Sequence, residues 1–349
     1  MIIDLIAGAG VALICTLLAC WAMIGAPIVD MPGEARKLHV APTPTSGGVG
    51  ISVGVAFGFV ALALFSSEWR HAVSARGFSM ATMGAAFAYG FLVLGFVDDA
   101  RPLGPRLKLL IFVCLSLGAA FAIGLVRTLD LGLVTIDLPL PIAAIGTALW
   151  VFTMVNCVNF MDGANGLAMG SMAIGLAVLA GLGLSLHEFS AAGFAASAAG
   201  AALGFLFWNF PGGRIFAGDS GALFMGAVGA LVSLILCSAG GMSPFAPPIL
   251  FFPLLSDALL TLAWRAGRGR SLLDGHSEHL YQIAQRAGWG RRRIALIYWA
   301  AMAVCAAIAV AAVFYRDFGP YALGLLALAA VLIAARVRSA AMRAGIAEI

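Results

Sequence analysis

Apolar residues run through this chain in blocks of about 20, broken by short clusters of Gly, Pro, Asp and Arg, and blocks of that length match helices that cross the ~30 Å hydrocarbon core of a bilayer. The pattern predicts spans near 3–27, 48–66, 79–97, 107–126, 139–159, 164–186, 191–210, 220–240, 245–264, 294–314 and 319–335. The expected fold is therefore all-α: a polytopic integral membrane protein of about eleven transmembrane helices forming a single domain over 1–349. The first block carries Asp4 where a secretory signal would carry basic residues, and it is too long for one, so it is expected to stay as the first helix.

Composition agrees, because 62% hydrophobic and 10% charged residues exclude a water-soluble globule, which carries roughly 25% charged residues. The basic residues then orient the bundle. Taking alternate loops, 16 of the 20 Lys and Arg fall on one side (Arg36, Lys37, Arg101, Arg106, Lys108, Arg214 and all those from Arg265 onward except Arg316), against Arg70, Arg76, Arg127 and Arg316 on the other. Lys and Arg accumulate on the cytoplasmic side, which places the N-terminus outside and the C-terminus in the cytoplasm. The net charge of +4 is thus a topology signal beside anionic lipid headgroups and implies no nucleic-acid partner. All six cysteines lie in or at the edge of apolar blocks without metal-site or disulfide spacing, and glycines such as Gly166 and Gly170 at i, i+4 read as small residues that let helices approach closely.

The outer loops are short, so chemistry is to be sought on the inner side. Asp98 and Asp99 close the apolar run from Gly84 to Val97, and Asp162, Asp219 and Asp274 fall on that same side. An acid at a membrane edge is a functional candidate. Adjacent carboxylates repel, so Asp98-Asp99 suits a divalent cation, a cationic partner or proton abstraction. Asn156 and Asn159 lie i, i+3 on one helical face with Asp162 three residues on, a polar stripe fit to line a substrate cleft. Asp219, in Gly218-Asp-Ser-Gly221, suits an N-cap of the following helix, and a helix N-terminus also favours phosphate, beside which an Asp can hold Mg²⁺. His276 and His279 sit among Arg265, Arg268, Arg270 and Arg286; two histidines without further ligands favour an anion-contacting loop over a transition-metal site. Arg36-Lys37-Leu38-His39, leading into Pro42-Thr-Pro-Thr-Ser-Gly47-Gly48, suits a phosphate-side loop whose glycines allow close backbone approach.

Taken in order, these motifs resemble the polyprenyl-phosphate N-acetylhexosamine-1-phosphate transferase superfamily, the WecA/MraY-like enzymes of glycosyltransferase family 4. The resemblance runs through Asp30-x-Pro32, Arg36-Lys37-x-His39, Gly47-Gly48, Asp98-Asp99 with Lys108, and Asn156-x-x-Asn159-Phe-x-Asp162-Gly163. It continues through Asn209-x-Pro211, Ile215-Phe216-x-Gly218-Asp219-x-Gly221 and Pro253-x-x-x-Asp257 to the histidine loop. It implies a multi-pass protein of the bacterial inner membrane that uses Mg²⁺, or Mn²⁺ in its place. Such an enzyme transfers a sugar-1-phosphate from a UDP-N-acetylhexosamine to undecaprenyl phosphate and releases UMP on the cytoplasmic side; a homodimer is compatible with it.

The roles it implies are Asp219 and Asp99 as metal ligands, with Asp98, Asp99 and Asp162 as the catalytic carboxylates and Asp98 as base toward the lipid phosphate. Asn156, Asn159, Lys108, Thr45, Asn209, His276 and His279 would bind substrate, the histidines with nearby arginines holding the diphosphate or sugar. Asn165 departs from the pattern, standing where the family has a second Asp. The spelling His276-x-x-His279-x-Tyr281-Gln282 looks more like O-antigen initiating enzymes that use UDP-N-acetylfucosamine or UDP-N-acetylquinovosamine; an N-acetylglucosamine-1-phosphate transferase is the alternative, and the peptidoglycan enzyme comes third. From another class, a secondary transporter is expected to place its site near the bilayer midplane, in broken helices and often in repeated halves, whereas these acids gather at one face and no repeat is visible.

Overall fold

The computed structural model describes residues 1–25, 43–73, 75–272, 275–315 and 317–346, together with the backbone of 29–30. Pro32, Arg36, Lys37, His39, Pro42, Asp274 and Arg316 lie outside the described residues. In chain order the helices are α1 (Ile2–Met23), α2 (Gly47–Phe65), α3 (Ser67–Ala72), α4 (Ala75–Ala100), α5 (Pro105–Ile123), α6 (Leu140–Met161) and α7 (Leu167–Ser185). They continue as α8 (Phe189–Asn209), α9 (Gly218–Ser238), α10 (Ala246–Leu250), α11 (Phe252–Gly267), α12 (Leu280–Arg286), α13 (Arg291–Phe314) and α14 (Phe318–Arg343). Two antiparallel ribbons complete the chain: β1 (Val29–Asp30) with β2 (Thr43–Pro44), and β3 (Thr128–Asp130) with β4 (Thr135–Asp137). The protein is an all-α polytopic membrane protein.

Among the described residues, ten helices are long and apolar enough to cross a membrane. The remaining span expected at 245–264 is divided into α10 and α11 at Phe251. The physical reason is proline: Pro253 in the first turn of α11 has no N–H to donate and its ring crowds the carbonyl four residues back. The last span is longer than expected, since α14 runs on to Arg343 and takes Arg336 and Arg338 into the helix.

α9 lies at the centre, buried along nearly its whole length, with α7 and α8 largely enclosed around it. Helices in lipid gain little from apolar burial against one another, so they associate through close van der Waals packing, and small residues decide where they meet. Gly50, Gly54 and Gly58 recur every fourth residue on α2 and face Cys20, Thr16 and Ala12 of α1. A β-carbon at Gly58 would stand 2.7 Å from the Gly8 carbonyl oxygen. Gly200 and Gly204 of α8 meet the carbonyls of Ala9 and Leu13 in the same way. The expected pair Gly166 and Gly170 divides its tasks: Gly170 accommodates the Trp299 ring, but Gly166 has φ +78° and turns the chain into α7 instead of packing a helix face. All six cysteines are free.

The alternating helices bring the N-termini of α2, α5, α7, α9 and α13 and the C-termini of α4, α6, α8, α11 and α14 to one end of the bundle. The acids singled out in the sequence lie at that end.

Candidate active site at one end of the bundle

The site begins with the way α9 starts. Gly218 takes φ +69°, and a β-carbon there would meet the Thr45 carbonyl oxygen at 2.5 Å and Asp99 Oδ2 at 2.6 Å. The chain is thus turned into the helix against the loop before α2, to which it is tied: Phe216 N donates to Pro44 O (2.8 Å), Gly47 N to Phe216 O (3.0 Å) and Gly48 N to Ala217 O (2.9 Å). Gly47 and Gly48 were expected to let backbone approach a phosphate. What they admit is the first turn of α9, because a β-carbon at Gly48 would overlap Gly221.

The first N–H groups of a helix need acceptors, and those of α9 find Asp99. Its Oδ1 accepts from Asp219 N (2.9 Å) and its Oδ2 from Ser220 N (3.0 Å). Gly95, one turn earlier on α4, makes this possible: a β-carbon there would stand 2.5 Å from the Asp219 carbonyl oxygen, so α4 lies directly on the start of α9. Asp219 therefore does not cap its own helix. Asp99 caps it from α4 with both of its carboxylate oxygens.

Lys108, one turn into α5, places Nζ 2.6 Å from Asp98 Oδ2 and 2.6 Å from Asp219 Oδ2. Asp98 Oδ1 also accepts from Leu103 N (2.7 Å), which fixes the turn between α4 and α5. Asp162 ends α6 facing this group; burial first, then the charges of Asp219 and Asp99, hold its carboxyl well above the usual carboxylate range. One lysine thus pairs with two carboxylates beside which Asp99 and Asp162 add two more, an arrangement open to further positive charge.

Among the described residues no group of three His, Cys, Asp or Glu side chains is arranged to hold a metal ion. That donor set still fits Mg²⁺, which retains several waters and takes one or two carboxylates together with substrate phosphates. The Asp219 side chain is 30% exposed, which makes Asp219 the better placed of the two expected ligands.

A second group of polar residues lies across the end of α6. Asp257 of α11, 2% exposed, accepts from Leu280 N (2.8 Å), Tyr281 N (3.2 Å) and Tyr298 Oη (2.5 Å), and so holds the start of α12. His279 precedes that helix, its ring 4.9 Å from that of His276 and 5.8 Å from that of Phe160. Burial, then the neighbouring His279 and Arg265, push the His276 pKa down to about 4. Tyr281 reaches back to donate to Phe160 O (3.2 Å) and fits only because Gly163 has no side chain; a β-carbon there would overlap its hydroxyl. The C-terminal turn of α6 is therefore the bridge, with Asp162 toward the carboxylates and Phe160 toward the histidines.

The arginines expected to hold the diphosphate or sugar pair within the histidine loop and its flanks. Arg265 Nη1 donates to Glu278 Oε2 (2.7 Å) and its Nε to Ser271 O (3.2 Å), Arg270 also pairs with Glu278, and Arg286 Nη2 donates to Ser277 O (2.8 Å). They brace the histidine loop. Asn209 is likewise structural, not substrate-facing: it is 5% exposed, its Oδ1 accepts from Gly166 N (2.7 Å) and its Nδ2 donates to Ile215 O (2.9 Å). Asn156 donates to Phe152 O of its own helix (2.8 Å), whereas half-buried Asn159 has no side-chain partner among the described residues and is the member of the stripe free to meet a ligand. Asn165 donates to Pro211 O (3.2 Å), turned toward the loop after α8.

Asp257, Tyr281, Tyr298 and Arg338 carry this second group and were not among the residues picked out for a site. The available signal was Asp257 itself, a lone charge inside an apolar block. Arg338 was counted with the loop cations, yet it is 2% exposed and donates to Thr261 Oγ1 (2.8 Å).

Residues 81–237, which contain Asp98, Asp99, Asp162 and Asp219, match the family described as glycosyl transferase family 4. A Mycobacterium tuberculosis protein named decaprenyl-phosphate N-acetylglucosaminephosphotransferase is 30% identical over 335 residues, covering 87% of this chain and 80% of the relative. A Gluconobacter oxydans phospho-N-acetylmuramoyl-pentapeptide-transferase is 29% identical over 317 residues, covering 79% and 80%. A Bacillus subtilis protein named "Probable undecaprenyl-phosphate N-acetylglucosaminyl 1-phosphate transferase" is 31% identical over 220 residues, 59% of this chain and only 55% of that protein. The chain belongs to glycosyl transferase family 4, within the WecA/MraY-like superfamily it was seen to resemble.

Proposed function

We propose that this member of glycosyl transferase family 4 transfers an N-acetylhexosamine 1-phosphate from a UDP-linked donor to undecaprenyl phosphate at the cytoplasmic edge of the membrane, releasing UMP. The observation that carries the reading is the Lys108 ammonium held 2.6 Å from both Asp98 and Asp219 on the first turn of α9, at one end of a membrane bundle. A lipid phosphate anchored in the bilayer and a water-borne nucleotide can meet only at such an edge. Transfer forms a bond from a lipid phosphate oxygen to the phosphorus of the sugar phosphate and breaks the diphosphate bond to UMP. Catalysis of such a step is chiefly positioning plus charge neutralisation.

In this reading Lys108 favours phosphate oxygens, Asp98 orients the lipid phosphate, and Asp162 and Asn159 line the nucleotide side. Asp219 would hold Mg²⁺, or Mn²⁺, which when bound neutralises charge on the diphosphate. N-acetylglucosamine is the leading sugar, because it stands in the names of the mycobacterial and Bacillus relatives; a deoxy sugar rests on the spelling of the histidine loop alone. A transporter would be expected to work at a break near the midplane. Among the described residues the one divided span breaks at Phe251, and Asp98, Asp99, Asp162 and Asp219 belong to other elements.

The test is UMP release by the purified protein given undecaprenyl phosphate, Mg²⁺ and a panel of UDP-sugars. Turnover with one or more N-acetylhexosamines is expected, and none with any sugar would overturn the proposal. The same panel names the sugar.

A further inference from the structure

Arg336 and Arg338 lie two residues apart near the inner end of α14, about 200° around the helix, and take opposite courses. Arg336 is exposed, as suits a cation that reaches from a helix end toward water and headgroups. Arg338 is turned into the bundle and buried, although α14 is the least enclosed of the ten spanning helices. A guanidinium placed there is costly and calls for a partner. Two acids act on its charge, Asp257 and Glu278. Glu278 is already shared by Arg265 and Arg270. Arg338 Nη2 donates to Thr261 Oγ1 (2.8 Å), whose hydroxyl donates to Asp257 Oδ1 (3.3 Å), so its charge faces Asp257 across one hydroxyl.

Asp257 passes that support on. Besides the Thr261 hydroxyl it accepts from Leu280 N, Tyr281 N and Tyr298 Oη, and without a cation nearby it would be an uncompensated buried charge. Tyr281 is the link outward. Its backbone N–H is held by Asp257, and its hydroxyl meets the end of α6 on both sides of Asp162. On one side it donates to Phe160 O (3.2 Å); on the other it fills the space that a side chain at Gly163 would take. We propose that Arg338 is a positioning residue for the transfer reaction, holding Asp162 in place from the last helix through Thr261, Asp257 and Tyr281. The proposal rests on the transferase reading, in which Asp162 lines the nucleotide side. It makes a helix with mostly lipid-facing surface part of what aims a carboxylate of the open corner.

Arg338→Gln keeps a donor for Thr261 and removes the charge. Its kcat for sugar transfer should fall by about 10- to 100-fold with KM little changed, and Arg338→Lys should recover part of the loss. Hydrogen exchange of the purified protein in detergent, read by mass spectrometry without substrate, should quicken at Leu280, Tyr281 and the turn around Asp162 and stay at the wild-type rate elsewhere. Wild-type kcat, or exchange that quickens throughout the bundle, would overturn the proposal. Arg338→Gln combined with Asp257→Asn should lose no more than the worse single variant; losses that multiply would place Arg338 outside the relay and also overturn it. Should Arg338→Gln fail to fold, Tyr281→Phe, which deletes only the hydroxyl at Phe160, carries the test: it should lower kcat with the amides of Leu280 and Tyr281 still protected, and full activity would overturn the proposal. Because exchange is read without substrate, the expected exchange pattern in a protein that transfers no sugar overturns the transferase reading only.

Discussion

Asp99 and Asp257 perform the same local task in two regions with opposite outcomes. Each is a carboxylate on one helix that accepts the first N–H groups of another, Asp99 for α9 and Asp257 for α12. Around Asp99 the surroundings are acid-rich and open: the Asp98 and Asp219 side chains keep 15% and 30% of their exposure, and one lysine serves both. Around Asp257 they are donor-rich and closed. Trp264 Nε1, His276 Nδ1, Gln285 Nε2 and Arg338 Nη1 are all enclosed without a hydrogen-bond partner among the described residues. A capping carboxylate by itself therefore says little about function; the charge and exposure of its neighbours decide whether the corner can take a ligand or only hold a shape.

The sharpest way to break the comparison is Asp219→Asn. It removes a charge from the open corner, so turnover should fall by about 10²–10³-fold with the thermal transition little moved, measured by UMP release and by melting in detergent. Full activity in that variant would remove the open corner from the chemistry. Gly163→Ala tests the bridge between the corners: its methyl overlaps the Tyr281 hydroxyl, which is buried and cannot withdraw, so a loss of about 1–3 kcal/mol in stability is expected.

Asn165→Asp comes next. It restores the family's acid but sets a carboxylate oxygen where Nδ2 now donates to Pro211 O, so stability should fall by about 1 kcal/mol and the rate should not rise. A large rise would show that the native corner lacks a needed charge. The smallest effect concerns His276. Its folded pKa of about 4 lies below the ordinary 6.5, so the unfolded chain binds the extra proton first, and stability present above 6.5 is lost as pH falls toward 4. Melting temperatures followed from pH 7 to pH 5 should drop less in His276→Gln than in the wild type.

The architecture was largely legible because one rule, hydrocarbon thickness, sets it: among the described residues the helix-length apolar blocks became spanning helices, and the one that divides carries Pro253. The open corner was legible for a related reason, since charges at the edges of apolar blocks stand out. What those charges do was not. Sequence spacing could not show that Asp99 serves the backbone of a helix 120 residues away, nor that Asn209 turns both ends of its amide inward. The closed corner stayed hidden because its partners come from α11, α12, α13 and α14, and Arg338 was indistinguishable from the cations that set topology until its burial was seen.

The glycines spaced along α2 mesh with α1 like a rack against a pinion. A slide of one or two residues would drive Cys20, Thr16 or Ala12 into a side chain of α2, and the nearest matching register is four residues away, about 6 Å along the axis. That half of the molecule is accordingly a stator. Whatever adjustment accompanies a ligand's arrival has to come from outside the α1–α2 pair.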